Sequence, residues 1–97
     1  MRRSTVFFDD TNADLIAFSL YQGGETNRLQ RERMKRILTR AIREELTDRQ
    51  RSCLILYYLK GMKMREIART LMLSTSTVSR HIRTAERKLR RIADYYE

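Results

Sequence analysis

Val78, Ile82, Ala85, Leu89 and Ile92 recur at steps of four, three, four and three residues. On a helix that spacing gathers all five apolar side chains on one side. On a strand it would scatter them over both faces. The segment is therefore a helix of about five turns with one side to bury, and the rest of the chain must supply what covers it. Nothing in that rest argues for a sheet. The β-prone run Thr5-Val6-Phe7-Phe8 stands isolated. Proline is absent, so no helix is forced to break from within, and glycine occurs only at 23, 24 and 61, suited to ending helices. The domain is expected to be all-α.

The periodicity predicts about five helices. Thr11-x-x-Asp14 opens a short one with Leu15, Ile16, Ser19 and Leu20 as its stripe, ended by Gly23-Gly24. A second runs from about Thr26 to Glu45, with Met34, Ile37, Leu38, Ala41 and Ile42 on one broad face. Thr47-x-x-Gln50 is a capping-box pattern that starts a third, over about 48–60. Its run Cys53-Leu54-Ile55-Leu56-Tyr57-Tyr58-Leu59 is apolar nearly all round, which places it centrally with neighbours on two flanks. A fourth covers about 64–71, with Ile67, Ala68 and Leu71 inward; Ser74 then caps the fifth, from Thr75 to about Ala93. Residues 1–24 form an N-terminal segment with one short helix, and residues 25–97 the main body of a single globular unit.

Charge divides along the same line. Residues 1–24 carry two Arg against three Asp, whereas residues 25–97 carry 19 Lys and Arg against nine acids, a surplus of ten. Ion pairs along helices, such as Glu32/Arg36 and Glu86/Arg90, cannot absorb that surplus. It points to a polyanionic partner. Only four of the 21 cations are Lys, and Arg suits bidentate contacts to phosphate and guanine edges. One Cys excludes an internal disulfide framework, and one Cys with one His excludes a zinc cluster. No cofactor is expected. No apolar run reaches the roughly 18–20 residues that span a bilayer, nor the core of a secretory signal. A reducing, cytoplasmic setting without membrane contact is expected.

The fourth helix, a tight turn and the fifth helix have the helix-turn-helix arrangement. With Val78 at zero on the wheel, Ser76, Arg83, Arg87 and Arg80 lie at about 160°, 140°, 180° and 200°. Ser79 and Arg90 flank them at about 100° and 120°, and no acid lies near the centre of that side. Ser74-Thr75-Ser76-Thr77 is small and hydroxylated, which lets a helix end approach a groove and bind phosphate. Double-stranded DNA is the expected ligand.

Leu46-Thr47-Asp48-Arg49-Gln50-Arg51 through Tyr58-Leu59-Lys60-Gly61, then Arg65-Glu66-Ile67-Ala68, Leu73-Ser74-x-Ser76-Thr77-Val78 and Ala85-Glu86-Arg87-Lys88-Leu89, resemble region 4 of the sigma-70 family. The resemblance covers about residues 46–91 without gaps. It implies a domain that reads the −35 promoter element through its last helix and contacts the flap of the RNA polymerase β subunit. By position, Thr75, Ser76, Ser79, Arg80 and Arg83 would face the major groove, with Arg87 on the same side. Arg49, Arg51 and Lys63 would sit near phosphates at helix starts. Met72 stands where the family usually has Gly, and Lys63 where it often has Ser or Thr. The length leaves no space for the sigma domain that binds the −10 element, so a lone region 4-like module with two extra N-terminal helices is expected. It resembles small transcription regulators of bacterial, phage or mobile-element settings.

The remaining residues read as structural. Cys53 is a core thiol, His81 a packing or phosphate-contact residue, and Tyr57 and Tyr58 core and helix-packing residues. Met62, Met64 and Met72 read as gap-fillers around the turn. No nucleophile–base constellation is present, so no enzyme activity is expected. The alternative function is an interaction module that binds the polymerase β flap or a partner sigma factor, motivated by the apolar girth of residues 53–59. RNA recognition would call for a basic–aromatic sheet that the sequence lacks. A homodimer through Ile92 and Tyr96 is a further expectation.

Overall fold

A computed structural model describes residues 28–96. The expected helix near residues 11–22 and the run at 5–8 lie outside the described residues. Within them the chain forms α1 (Arg28–Glu44), α2 (Asp48–Tyr58), α3 (Met64–Leu71) and α4 (Thr75–Tyr96), with no strand. The described part thus holds four of the five expected helices. The third helix ends at Tyr58 rather than Lys60, and the last runs three residues past Ala93.

α4 packs against each of the other three helices. Its stripe is shared along its length between two buried clusters. Val78 and Ile82 join Cys53 and Leu56 of α2 and Ile67 and Ala68 of α3. Ala85, Leu89 and Ala93 join Leu54 and Ile55 of α2, Leu46, and Met34, Leu38, Ala41 and Ile42 of α1. The central position expected for α2 follows from this division. Cys53 and Leu56 point to one core and Leu54 and Ile55, between them, to the other, so the helix has to be apolar nearly all round. Each fully buried Leu or Ile contributes about 1.5–3 kcal/mol relative to exposure.

Local chemistry sets the boundaries. Thr47 and Gln50 close the expected capping box: Gln50 N–H donates to Thr47 Oγ1 and Thr47 N–H to Gln50 Oε1, both at 3.1 Å. Gly61 takes a left-handed φ of 65° after α2. Met72 does the same after α3, with φ 60° and ψ 46°. Leu73 N–H then reaches back to the Ala68 carbonyl at 2.8 Å, the six-to-one bond of a Schellman ending. The sharp turn usually made by glycine is thus kept with a methionine in it. Met72 fills no gap: its side chain is 90% exposed, while Met62 and Met64 pack on the core as expected. Tyr57 departs from expectation too. It lies exposed, with its ring edge-on to the half-buried Tyr58. Position 57 falls on the side of α2 that neither core covers.

Candidate nucleic-acid interface

The turn of Met72, Leu73 and Ser74 delivers the chain into α4 with its first residues bare. Ser74 caps the helix as expected, its Oγ accepting from Thr77 N–H at 3.1 Å. The Ser74 hydroxyl donates to Thr77 Oγ1 at 2.8 Å and lies 3.2 Å from Ser76 Oγ. Thr75 and Ser76 are exposed, and Thr77 and Ser79 half-buried. The first N–H groups of a helix have no carbonyl four residues back, so this end presents donors to whatever approaches.

Behind that end the exposed side of α4 is guanidinium. Arg80, Arg83, Arg87 and Arg90 are all exposed, opposite the buried stripe. Arg83 rests on Ser79, donating to its Oγ at 3.2 Å. The side is cationic because no partner element covers it and no acid lies within it.

Two polar clasps fix the rotation of α4. On one flank Lys88 Nζ donates to Gln50 Oε1 and to the Glu45 carbonyl, both at 3.2 Å. On the other the Tyr58 hydroxyl donates to the Glu86 carboxylate. Burial, together with this bond, holds the Tyr58 phenol well above its ordinary range. Lys88 and Glu86 lie on opposite flanks of the helix, so turning α4 either way breaks one clasp. The arginine side is thereby held outward. Sequence reasoning missed both clasps, since their partners lie 38 and 28 residues apart and no local pattern links them.

The other expected contact residues divide. Lys63, exposed, sits just before α3, next to the turn. An ammonium has no lone pair to accept with, so the helix start is closed from the other side: Lys63 N–H donates to Glu66 Oε1 at 2.8 Å. Arg49, also exposed, spans to the Leu71 carbonyl at 3.3 Å and ties the start of α2 to the end of α3. Arg51 lies apart from this group. Its guanidinium donates to the carbonyls of Ile42, Arg43 and Leu46 at 2.9–3.0 Å and pairs with Asp48 at 2.9 Å. It closes the C-terminal end of α1, where helix carbonyls lack N–H partners. The expectation of a phosphate contact there meets a different use for the same charge. Conversely, the exposed Arg65 and Arg69 went unnoticed. They are one turn apart on α3, opposite Ile67, Ala68 and Leu71, and a helical wheel of residues 64–71 would have found them.

His81 is half-buried and Cys53 wholly buried. Burial pushes the Cys53 thiol up, and the nearby Arg49 charge only partly opposes this. No group of side chains able to hold a metal ion occurs among the described residues, and no helix there is long and apolar enough to cross a membrane.

The family model described as Sigma-70, region 4, matches residues 44–91, from the last residue of α1 to Arg91 near the end of α4. No curated protein and no solved structure matches at a significant level.

Proposed function

We propose, on the premise that residues 44–91 are a sigma-70 region 4 helix-turn-helix, that the protein is a DNA-binding transcription regulator. The start of α4 enters the major groove. Thr75, Ser76, Ser79, Arg80 and Arg83 face base edges and flanking phosphates, and Arg87 lies further along. Lys63 and Arg49, joined by Arg65 and Arg69, meet the backbone beside them. The observation that carries this reading is the outward arginine side of α4, held in place by clasps on both flanks. Phosphate contacts set the position and base contacts the sequence. The reading assigns the chain no catalysis.

A selection from random duplex DNA at near-physiological salt, followed by binding to the selected site, tests it. Arg80→Ala should lose about 1–3 kcal/mol on the selected site and less on unrelated DNA if Arg80 reads a base. Arg83→Ala tests the same face. Unchanged binding in both variants would mean that α4 does not dock by this side.

Contact with the RNA polymerase β flap, or with a partner sigma factor, rests on the family likeness. The apolar girth of residues 53–59 adds little to it, because six of those seven side chains, all but Tyr57, pack on the two cores. Capture of the purified flap, beside sequence-blind and salt-labile DNA binding, would favour this second reading.

A further inference from the structure

At the end of α4 far from the turn, α1 and α4 together line a groove of about 790 Å³. Ile37 and Ile92 lie in it, with Arg36, Arg40, Tyr95 and Tyr96 along its sides. Tyr95 is 81% exposed and Tyr96 57%. Leu29, 68% exposed, lies two turns from Arg36 on the same stripe of α1. Of the five large apolar side chains exposed among the described residues, two therefore line this groove, and Leu29 lies two turns from its first residue along α1. Singly exposed apolar residues are ordinary, but a group around one groove marks a surface that something covers. The rim is not neutral either. Arg36, Arg40 and the exposed Arg91 stand against Glu44 and Glu45, and Glu44 is already paired with Arg40 at 3.5 Å.

The chain carries a segment of matching chemistry. Residues 1–24 have Asp9, Asp10 and Asp14 against two arginines, in a body otherwise strongly basic. They also hold Leu15, Ile16 and Leu20 as an apolar stripe. Length and attachment fit. A helix over 11–22 would be about 18 Å long, and Arg36 to Glu44 along α1 is about 12 Å. Five residues, 23–27, beginning Gly23-Gly24, separate that stretch from α1 in the sequence, a number that suffices to join antiparallel helices. The segment attaches at Arg28, two turns from the first groove residue of α1. Tethering at that distance gives an effective concentration of the order of millimolar, above that of any second copy at micromolar protein.

We propose that the groove between α1 and α4 is the seat of the chain's own N-terminal segment, folded back along α1. Its apolar stripe covers Ile37, Ile92 and the two tyrosines, and its aspartates face Arg36, Arg40 and Arg91. The groove shares no residue with Arg80, Arg83, Arg87 or Arg90, so the inference stands whether or not DNA is the ligand.

The full-length chain tests it by isotope-filtered NMR on a mixture of labelled and unlabelled protein. Nuclear Overhauser contacts between the methyl groups of Leu15 or Ile16 and the rings of Tyr95 or Tyr96, within one chain, are expected. The same contacts only between differently labelled chains would overturn the proposal in favour of a second copy. No such contacts would overturn it outright. Ile16→Asp is the companion variant, outside both described cores. It should speed amide exchange at the end of α4, from Arg91 to Tyr96, roughly tenfold, and leave Ile67 and Val78 unchanged. Equal exchange in variant and parent at Arg91–Tyr96 counts against the seat.

Discussion

Single residues in this protein are read best by what their polar atoms already hold. Arg51 and Arg80 are both arginines near helix starts, yet one has its guanidinium committed to three carbonyls and the other is exposed on α4. Arg51→Ala should therefore cost about 1–2 kcal/mol of stability in denaturant unfolding, by reopening the end of α1. The DNA affinity of the folded fraction should hardly change. Arg80→Ala should do the reverse, and a stable but binding-deficient Arg51→Ala would overturn the assignment. Met72 holds a left-handed backbone at a cost of about 1–2 kcal/mol, which its exposed side chain does nothing to offset. Met72→Gly relieves that strain and loses some unfolded-state advantage, so a net gain of roughly 0.5–1 kcal/mol is expected in thermal unfolding. A loss would show that the Met72 side chain has contacts beyond its own turn.

At the scale of elements, α4 is anchored to α2 by packing in both cores and by the polar clasps on its flanks. The Tyr58–Glu86 clasp has a pH signature. Tyr58 is held above the ordinary phenol value near 10, so the folded state keeps its proton longer than the unfolded state does. Its contribution is complete below about pH 10 and is lost as the pH rises through the folded value. Unfolding free energy measured from pH 8 to 11 should bend downward at the alkaline end. Tyr58→Phe should flatten that bend and cost about 1 kcal/mol at neutral pH, where Glu86 loses its donor. An unchanged bend would assign the alkaline loss to other groups. The elements themselves were largely legible from the chain, because caps and apolar stripes are local signals. The box at Thr47/Gln50, the Ser74 cap and the stripe of α4 all appear where the residues put them. Tyr57, Met72 and Arg51 were not legible. Tyr57 turns on which side of α2 the other helices leave uncovered, whereas Arg51 and Met72 turn on how the neighbouring backbone bends, which brings the Ile42, Arg43 and Leu46 carbonyls to Arg51 and leaves Met72 outside both cores.

Over the whole molecule, the surplus positive charge becomes a surface with a direction. Lys63, Arg65 and Arg69 lie beside the turn or on α3, and Arg80, Arg83, Arg87 and Arg90 on α4. If most of these neutralise phosphates on DNA, the logarithm of affinity should fall against the logarithm of salt with a slope on the order of −5. Replacing any one phosphate contact by a neutral residue should reduce that slope by about one. A slope near zero in a salt titration would remove the docking surface, whatever sequence the protein prefers. The amino-acid sequence by itself determined that the described body is helical, where α2, α3 and α4 start, and that the outer side of α4 is arginine. Periodicity, capping and charge act over a few residues, so they are written in the order of the chain. Tertiary structure alone decided that α2 serves two cores at once, that Lys88 and Tyr58 hold α4 from both flanks, that Arg51 closes α1, and that a groove opens beside Ile92. These rest on partners up to several tens of residues apart, and only packing brings such groups within bonding distance.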